Sequence, residues 1–295
     1  MINSLLTFLC LISLGIAYGQ DYSNYYRLCN TADSLEYVGN QNKAIDTYTH
    51  AFSAVNYVHS EKYLRAYHLA IKLNRFDEAF QFGRKIILNS GLKNRIRTKS
   101  KEFKSSNYYQ LLIDSCGAYI DLYNSRVNHA YIKLIDSLHF IDQRIIRKNF
   151  SVRGKYKIQR KTLPKNRFEL DSSNWLLLSD LIDSLGFPSE QNVGSEAYYN
   201  ALIIIHHNLR LKENDYYHER IFEFILMGKY LPEHFSFWYE QYQTNINGIS
   251  YFYTWESDFS DEDLNRINRN REKFYLKGLW AYDIDKEGRK MSPKW

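Results

Sequence analysis

The sequence has few of the residues that usually interrupt regular structure. It contains 4 proline and 13 glycine residues among 295. Sandwiches and barrels need many tight turns, which draw on these two residues, so an architecture of many short strands is excluded. Long helices with short connections remain, and we predict an all-α fold. Only the stretch near residues 248–256 has β character, and we expect at most a short strand there.

Fingerprints of nucleotide, cofactor and metal sites are also absent from the sequence. The chain has no Gly-rich phosphate loop, no Gly-x-Ser-x-Gly motif, no His-Glu-x-x-His motif and no closely spaced cysteine pair. We therefore predict no cofactor and no metal ion. The composition is otherwise ordinary for a globular protein, with 44% hydrophobic residues, except that 26 residues are tyrosine.

Cysteine is scarce as well, with three in the chain. Cys10 lies in the apolar N-terminus, which leaves Cys29 and Cys116. The helical repeats predicted here place these two about two helix pairs apart, roughly 20 Å, whereas a disulfide needs Cα atoms within about 7 Å. We favour two separate core residues, and a disulfide of the kind common in exported proteins is the alternative.

The N-terminus resembles a secretory signal peptide in its pattern. Leu5 to Ile16 is an apolar core of signal length, too short to span a bilayer, and Ala17-Tyr18-Gly19 supplies small residues before a cleavage site at Gln20. The segment before the core has no Lys or Arg, and Cys10 lies in a poor lipobox. We predict export to the periplasm or the extracellular space, without a lipid anchor and without a later transmembrane segment.

Positive charge is concentrated in one segment of a chain whose net charge is +6. Residues 144–167 contain ten Lys or Arg and no acid. An exported protein seldom meets nucleic acid, so we predict no nucleic-acid partner. A polyanionic surface polymer could bind here through Lys155, Lys157, Arg160 and Lys161. The alternative is a solvated linker whose like charges repel one another.

A helical pattern occurs twice between residues 24 and 90. Its central small residues, Ala44 and Ala79, lie 35 positions apart. With "GNQNKAIDTY" and "NRFDEAFQF" at the turns, the chain resembles tetratricopeptide repeats, whose period is about 34. Tyr67 stands where the second unit would have a small residue. The resemblance implies paired helices and a groove that binds a protein or peptide partner through residues 24–90.

The rest of the chain reads as further helices. An apolar stripe runs through a long helix near residues 126–148, and Asp142 lies about 40° from its centre, either at the rim or buried with a partner. Asp171 is a plausible N-cap for a largely buried helix that carries Leu176 and Leu177. Pro232 and Ser260 are placed to begin later helices. We divide the chain into a signal peptide (1–19), helical repeats (20–105), connecting long helices (106–150), a basic linker (151–169), a C-terminal helical domain (170–280) and a tail (281–295).

Several short motifs of the second half occur in a fixed order. They are Asp142-Gln143 with Arg147, Asp171 with Asn174, Gly186-Phe187-Pro188, Val193-Gly194 and His206-His207. This order resembles an uncharacterised bacterial domain family of unknown function, in which Gln-His stands where this chain has His206-His207. The resemblance implies a helical fold and a site at these positions, and it implies no particular reaction.

His206 and His207 end an apolar helix, so each must find a hydrogen-bond partner. Asp142 is the best candidate partner for His207, and such a pair can orient an imidazole as a general base. Gln143, Arg147, Asn174 and His206 are further site candidates from the motif. Adjacent histidines point about 100° apart and cannot easily share one metal ion. A purely structural hydrogen bond is the alternative.

We expect an interaction protein that binds protein or peptide partners, with a cell-envelope hydrolase using Asp142 and His207 as the second hypothesis.

Overall fold

The computed structural model describes residues 20–146, 167–209, 215–247, 251–252 and 260–278. These residues form thirteen α-helices and one short 3₁₀ helix, with no strand among them, which confirms the all-α prediction. Of the stretch near 248–256, only Tyr251 and Phe252 are described, and they form a bend. The predicted signal peptide (1–19) and the tail (281–295) lie outside the described residues.

The helices follow one another with short connections wherever the chain is described continuously. In chain order they are α1 (Ser23–Tyr37), α2 (Gln41–Ser53), α3 (Ser60–Lys72), α4 (Phe76–Ser90), the 3₁₀ helix (Lys93–Ile96), α5 (Lys101–Lys104), α6 (Asn107–Asp114), α7 (Cys116–Arg126), α8 (His129–Ile146), α9 (Arg167–Leu185), α10 (Glu190–Leu209), α11 (Asp215–Leu226), α12 (Pro232–Asn247) and α13 (Asp261–Lys273). In the described part of the chain, no helix combines the length and the apolar character that crossing a bilayer requires.

The first four helices form two hairpins with the same turn. Gly39 and Asn74, 35 positions apart, both adopt a positive φ, of 85° and 56°. The residue after each turn donates its amide to the carbonyl five residues back, from Asn40 to Leu35 at 2.8 Å and from Arg75 to Ala70 at 2.9 Å. Ala44 and Ala79 are both fully buried. The turn and the packing therefore repeat in the register predicted from the alanines.

The large Tyr67 is accommodated by a small residue on the facing helix. In the first hairpin, the buried residues at equivalent positions are Ala32 and Tyr48, and in the second they are Tyr67 and Gly83. A Cβ added at Gly83 would lie 3.2 Å from the Tyr67 ring. The large residue is thus on the second helix of the first hairpin and on the first helix of the second hairpin, and in each case it faces a small residue. Both hairpins therefore stay closely packed.

Cys29 and Cys116 are both buried and unpaired. Cys29 lies on α1, with its thiol in the first hairpin, and Cys116 begins α7 and donates to the Leu112 carbonyl at 3.2 Å. Burial raises the pKa of the Cys29 thiol to about 12, so this sulfur stays protonated. The two cysteines are separate core residues, as favoured from the sequence.

The C-terminal half corrects two expectations about α9. Asp171 lies inside the helix, which extends back at least to Arg167, because no helix-breaking residue separates the two. The helix is also not largely buried, since Leu176 and Leu177 are 64% and 53% exposed. The apolar run covers the full circumference of a helix that packs on one side only. Pro232 begins α12 and Ser260 forms a capping box with Asp263, both as predicted.

The C-terminal half packs against α1. Tyr22 donates its amide to the Leu226 carbonyl at 2.9 Å, and the Tyr26 hydroxyl donates to the Ile225 carbonyl at 3.0 Å. Farther along α1, the Asn30 amide donates to the Tyr275 carbonyl at 2.7 Å. Buried side chains from residue 22 to residue 276 accordingly form one continuous cluster among the described residues.

A buried carboxylate joins the start of α3 to the start of α10. Glu190 is 2% exposed and accepts hydrogen bonds from the Ser60 amide at 2.8 Å, the Tyr57 hydroxyl at 3.0 Å and the Ser60 hydroxyl. The His59 Nδ1 atom lies 3.5 Å from the same carboxylate. A buried polar group is stable only when it is paired, so this contact fixes the two helices against each other. We call it the Glu190 joint.

Glu190→Ala should destabilise the protein, because the Ser60 amide and the Tyr57 hydroxyl would stay buried without an acceptor. Each such group costs about 1–3 kcal/mol, so we expect the free energy of unfolding in urea to fall by about 3 kcal/mol. The exposed neighbour Gln191→Ala is the control and should change it by less than about 0.5 kcal/mol. A loss below about 1 kcal/mol in E190A would mean that the two halves do not depend on this carboxylate.

The Tyr123 side chain packs against Gly91 and Gly194 near the Glu190 joint. Gly194 has φ 77° and interrupts α10, and a Cβ built there would overlap the Tyr123 hydroxyl. A Cβ at Gly91, the residue that follows α4, would also overlap the Tyr123 ring. The ring therefore fits only because both positions lack a side chain, and the regular part of α10 begins after Gly194.

Gly194→Ala and Gly186→Ala separate backbone strain from steric overlap. Both glycines have a positive φ, 77° and 82°, but no atom lies within 4 Å of the Cβ position at Gly186. We expect G194A to lose about 2 kcal/mol more unfolding free energy than G186A in the same denaturation assay, since overpacking adds to the strain. Equal losses would show that Tyr123 moves aside without cost.

Candidate functional site

Three helices of the C-terminal half bring two carboxylates and an imidazole together. Asp142 is near the end of α8, Asp171 is in the first part of α9, and His207 is near the end of α10. The His207 Nδ1 atom lies 2.9 Å from the Asp142 Oδ1 atom and 4.0 Å from the Asp171 Oδ1 atom. The three side chains can each offer one ligand atom within 4.8 Å of the others. We call this group the carboxylate–histidine site.

Asp142 is buried with a partner, which decides between the two environments considered from the sequence. It is 1% exposed, and its Oδ1 atom is in contact with His207. Gln143, the next residue, donates its side-chain amide to the Asp142 Oδ2 atom at 2.9 Å. Each oxygen of the carboxylate therefore has its own hydrogen-bond partner, and the group is held in one orientation.

A second polar contact fixes the register of α8 and α10. Asn200, about two turns before His207, donates its amide to the Asp136 carboxylate at 3.0 Å. Asn200 and His207 lie on the same face of α10, as the sequence spacing predicts. The two contacts hold the helices at both ends of this face, so the Asp142–His207 pair follows from how the helices pack.

Asp171 is a site residue that the sequence reasoning did not assign to the site. Its side chain is 14% exposed and approaches His207, whereas the sequence suggested only a capping role and a motif position. The Asn208 amide donates to the Asp171 carbonyl at 2.6 Å, which ties the first part of α9 to the end of α10. The signal that could have found it was the motif itself, which places Asp171 in the same set as Asp142 and His207.

Asn174 lies one helical turn after Asp171 on the same side of α9. It is 2% exposed, and its amide nitrogen has no hydrogen-bond partner in the described part of the protein. A buried amide donor without a partner is costly in a folded protein. The motif residue Asn174 is therefore beside the site with an unused donor.

His206 and His207 have opposite environments. His206 is buried, its Nε2 atom is 2.6 Å from the Tyr230 hydroxyl, and its ring stacks on Trp238 with centroids 4.3 Å apart. Burial raises the pKa of Tyr230 well above its ordinary value, so the phenol keeps its proton in this hydrogen bond. His206 is thus a core residue, and it does not contribute to the carboxylate–histidine site.

The His207 side chain keeps 9% of its surface exposed. Its Nδ1 atom faces Asp142, and its Nε2 atom makes no hydrogen bond with the described residues. An imidazole whose Nδ1 proton is held by a carboxylate has Nε2 available as a base, and the same group with a second carboxylate nearby can also ligate a metal ion. The arrangement is suited to either chemistry.

The remaining sequence candidates are accounted for as follows. Gln143 belongs to the site through Asp142, and Asn174 lies beside it. Arg147 and the candidate polyanion ligands lie outside the described residues, the latter being Lys155, Lys157, Arg160 and Lys161. Among other histidines, His234 contacts the Tyr198 hydroxyl and Glu61 away from this site.

Comparison with known proteins gives no match to this chain among protein-family models, curated proteins or solved structures.

Proposed function

We propose that the protein is an exported helical hydrolase in which His207, oriented by Asp142, is the general base. The observation that supports this most is the 2.9 Å contact between a buried carboxylate and the Nδ1 atom of a partly exposed imidazole. In this proposal Nε2 takes a proton from water, the hydroxide forms a bond to the electrophilic atom of the substrate, and the proton passes to the leaving group. Asp142 stabilises the imidazolium that forms in between.

Water is the nucleophile in this proposal. Cys29 and Cys116 are buried in the N-terminal half, so neither thiol is placed to attack a substrate at His207. A general base acting on water needs no protein nucleophile. The convergence of Asp142, Gln143 and His207 supports the proposal that this is the site shared with the domain family that the motif resembles.

Replacing His207 tests the proposal. With purified cell-wall polymer and chromogenic esters as probes, we expect His207→Gln to lower kcat at least about 100-fold, since a general base contributes that much or more. Asp142→Asn should also lower kcat, because an amide does not stabilise the imidazolium. Asp180→Asn, an exposed carboxylate on α9, is the control and should keep full activity. Hydrolysis that is unchanged in H207Q would contradict the proposed role.

A second candidate function is protein binding in the N-terminal half. The repeated hairpins support a tetratricopeptide-like array, but the α1 face that would line its groove packs against the C-terminal half. A specific feature favours another surface: Tyr108, Leu111 and Ile113 are all exposed on the short helix α6. A photo-crosslinker at Leu111 should capture a partner that the same group at the fully buried Leu112 does not.

A further inference from the structure

We propose that Asp142, Asp171 and His207 bind one divalent metal ion of the Zn²⁺ class. The binding itself is independent of the hydrolase proposal, whereas the catalytic role of the ion rests on it. The sequence predicted no metal because it lacks paired metal-binding motifs, and because His206 and His207 cannot share an ion. The third ligand is instead Asp171, which the fold brings in from a different helix.

The distances suit a single ion. Ligand atoms bound tetrahedrally at about 2.0–2.1 Å are about 3.3 Å apart. The separations from the His207 Nδ1 atom to the two carboxylate oxygens, 2.9 Å and 4.0 Å, lie on either side of that value. The ion would occupy the place of the proton that Nδ1 now shares with Asp142. Small side-chain rotations of Asp171, which is partly exposed, bring the third oxygen into range.

The charges also match. A neutral imidazole and two ionised carboxylates carry two negative charges, which a divalent cation neutralises in a site that is mostly shielded from water. One nitrogen and two oxygen ligands form a set that Zn²⁺ accepts, and three protein ligands leave the fourth position open. An open position is typical of catalytic rather than structural zinc sites.

The residues around these ligands supply an independent indication. Gln143 donates to the Asp142 Oδ2 atom and leaves Oδ1 directed at the site, as outer partners of metal ligands commonly do. Asn174 is buried beside Asp171 with its amide nitrogen unpartnered among the described residues. A water molecule on the open position of the ion would give that amide an acceptor. A ligand bound at the site would thus satisfy this donor.

A bound ion would change the role of His207 in hydrolysis. With Nδ1 on the metal, the imidazole is a ligand, and the ion lowers the pKa of its bound water so that a proton leaves to solvent. The resulting hydroxide forms the bond to the electrophilic atom, and the leaving group takes a proton from solvent as its bond breaks. Asp142 and His207 would therefore act in both the metal-free and the metal-bound protein, in different roles, whereas Asp171 would take part only when the ion is bound.

Zn²⁺ titration of the full mature chain, first stripped with EDTA, tests the proposal. Competition with a chromophoric chelator should give one Zn²⁺ per chain, and Co²⁺ in its place should give the visible absorption bands of a tetrahedral site. Asp171→Asn and His207→Gln should each weaken binding at least about 100-fold. Asn174→Ala should weaken it about 10-fold, as loss of an outer partner does. Because Asp171 is partly exposed, D171N tests the site even if H207Q is unstable.

Two substitutions away from the site are the controls. Asp180→Asn removes an exposed carboxylate from α9, and His50→Gln removes an exposed histidine from α2. Both should bind Zn²⁺ within twofold of the unaltered chain. Absence of stoichiometric binding, or equal affinity in D171N, H207Q and the unaltered chain, would overturn the metal proposal. Tight Zn²⁺ binding without any hydrolysis would support the metal site and contradict the hydrolase proposal. Hydrolysis that needs His207 but persists in EDTA would support the hydrolase and contradict a catalytic role for the ion.

Discussion

A buried carboxylate determines how the two halves of this chain fit together. Glu190 is the first residue of α10, and its partners are the amide of Ser60, the first residue of α3, and the hydroxyl of Tyr57, just before that helix. A carboxylate removed from water is costly unless it is paired, so arrangements that separate these helices are disfavoured. Lys62, in the same turn of α3 as Ser60, forms an ion pair with Glu233 at the start of α12. Contacts of this kind are directional, unlike apolar packing, and they give the C-terminal half one position on the repeats.

That position also determines the carboxylate–histidine site, because one helix carries both. The regular part of α10 begins after Gly194 and reaches His207 about 18 Å farther on at 1.5 Å per residue. With its start held by the joint, its middle is held by the Asn200–Asp136 contact and its end by the Asp142–His207 contact. The N-terminal hairpins therefore serve as the platform against which the site is assembled. The contacts of α1 with the C-terminal half agree with this arrangement.

The sequence was sufficient to predict the features that depend on local periodicity and one contact between buried polar side chains. Ala44 and Ala79 gave the register of the hairpins, and an acid on an apolar stripe with an imidazole at the end of an apolar helix gave the Asp142–His207 pair. The sequence was insufficient where the same residue type suits two different structural roles. Asp171 has the chemistry of an N-cap, and only the approach of α9 to α10 makes it a site residue. In the same way, a run of leucines does not reveal which side of α9 packs against the protein. The packing of the large Tyr67 against the small Gly83 can be predicted only when both facing helices are known.

The two adjacent histidines show why the site holds a single imidazole. Consecutive residues on a helix point about 100° apart, so a helix with neighbours on several sides directs them into different surroundings. His206 is directed at Trp238 and Tyr230, where its ring stacks on the indole and is hydrogen-bonded to the phenol. His207 is directed at two carboxylates on separate helices, where its Nδ1 atom can hold a shared proton or, as we propose, a metal ion. The second acid is what distinguishes this arrangement from a simple Asp–His pair, because two carboxylates and one imidazole together supply three ligand atoms from three helices.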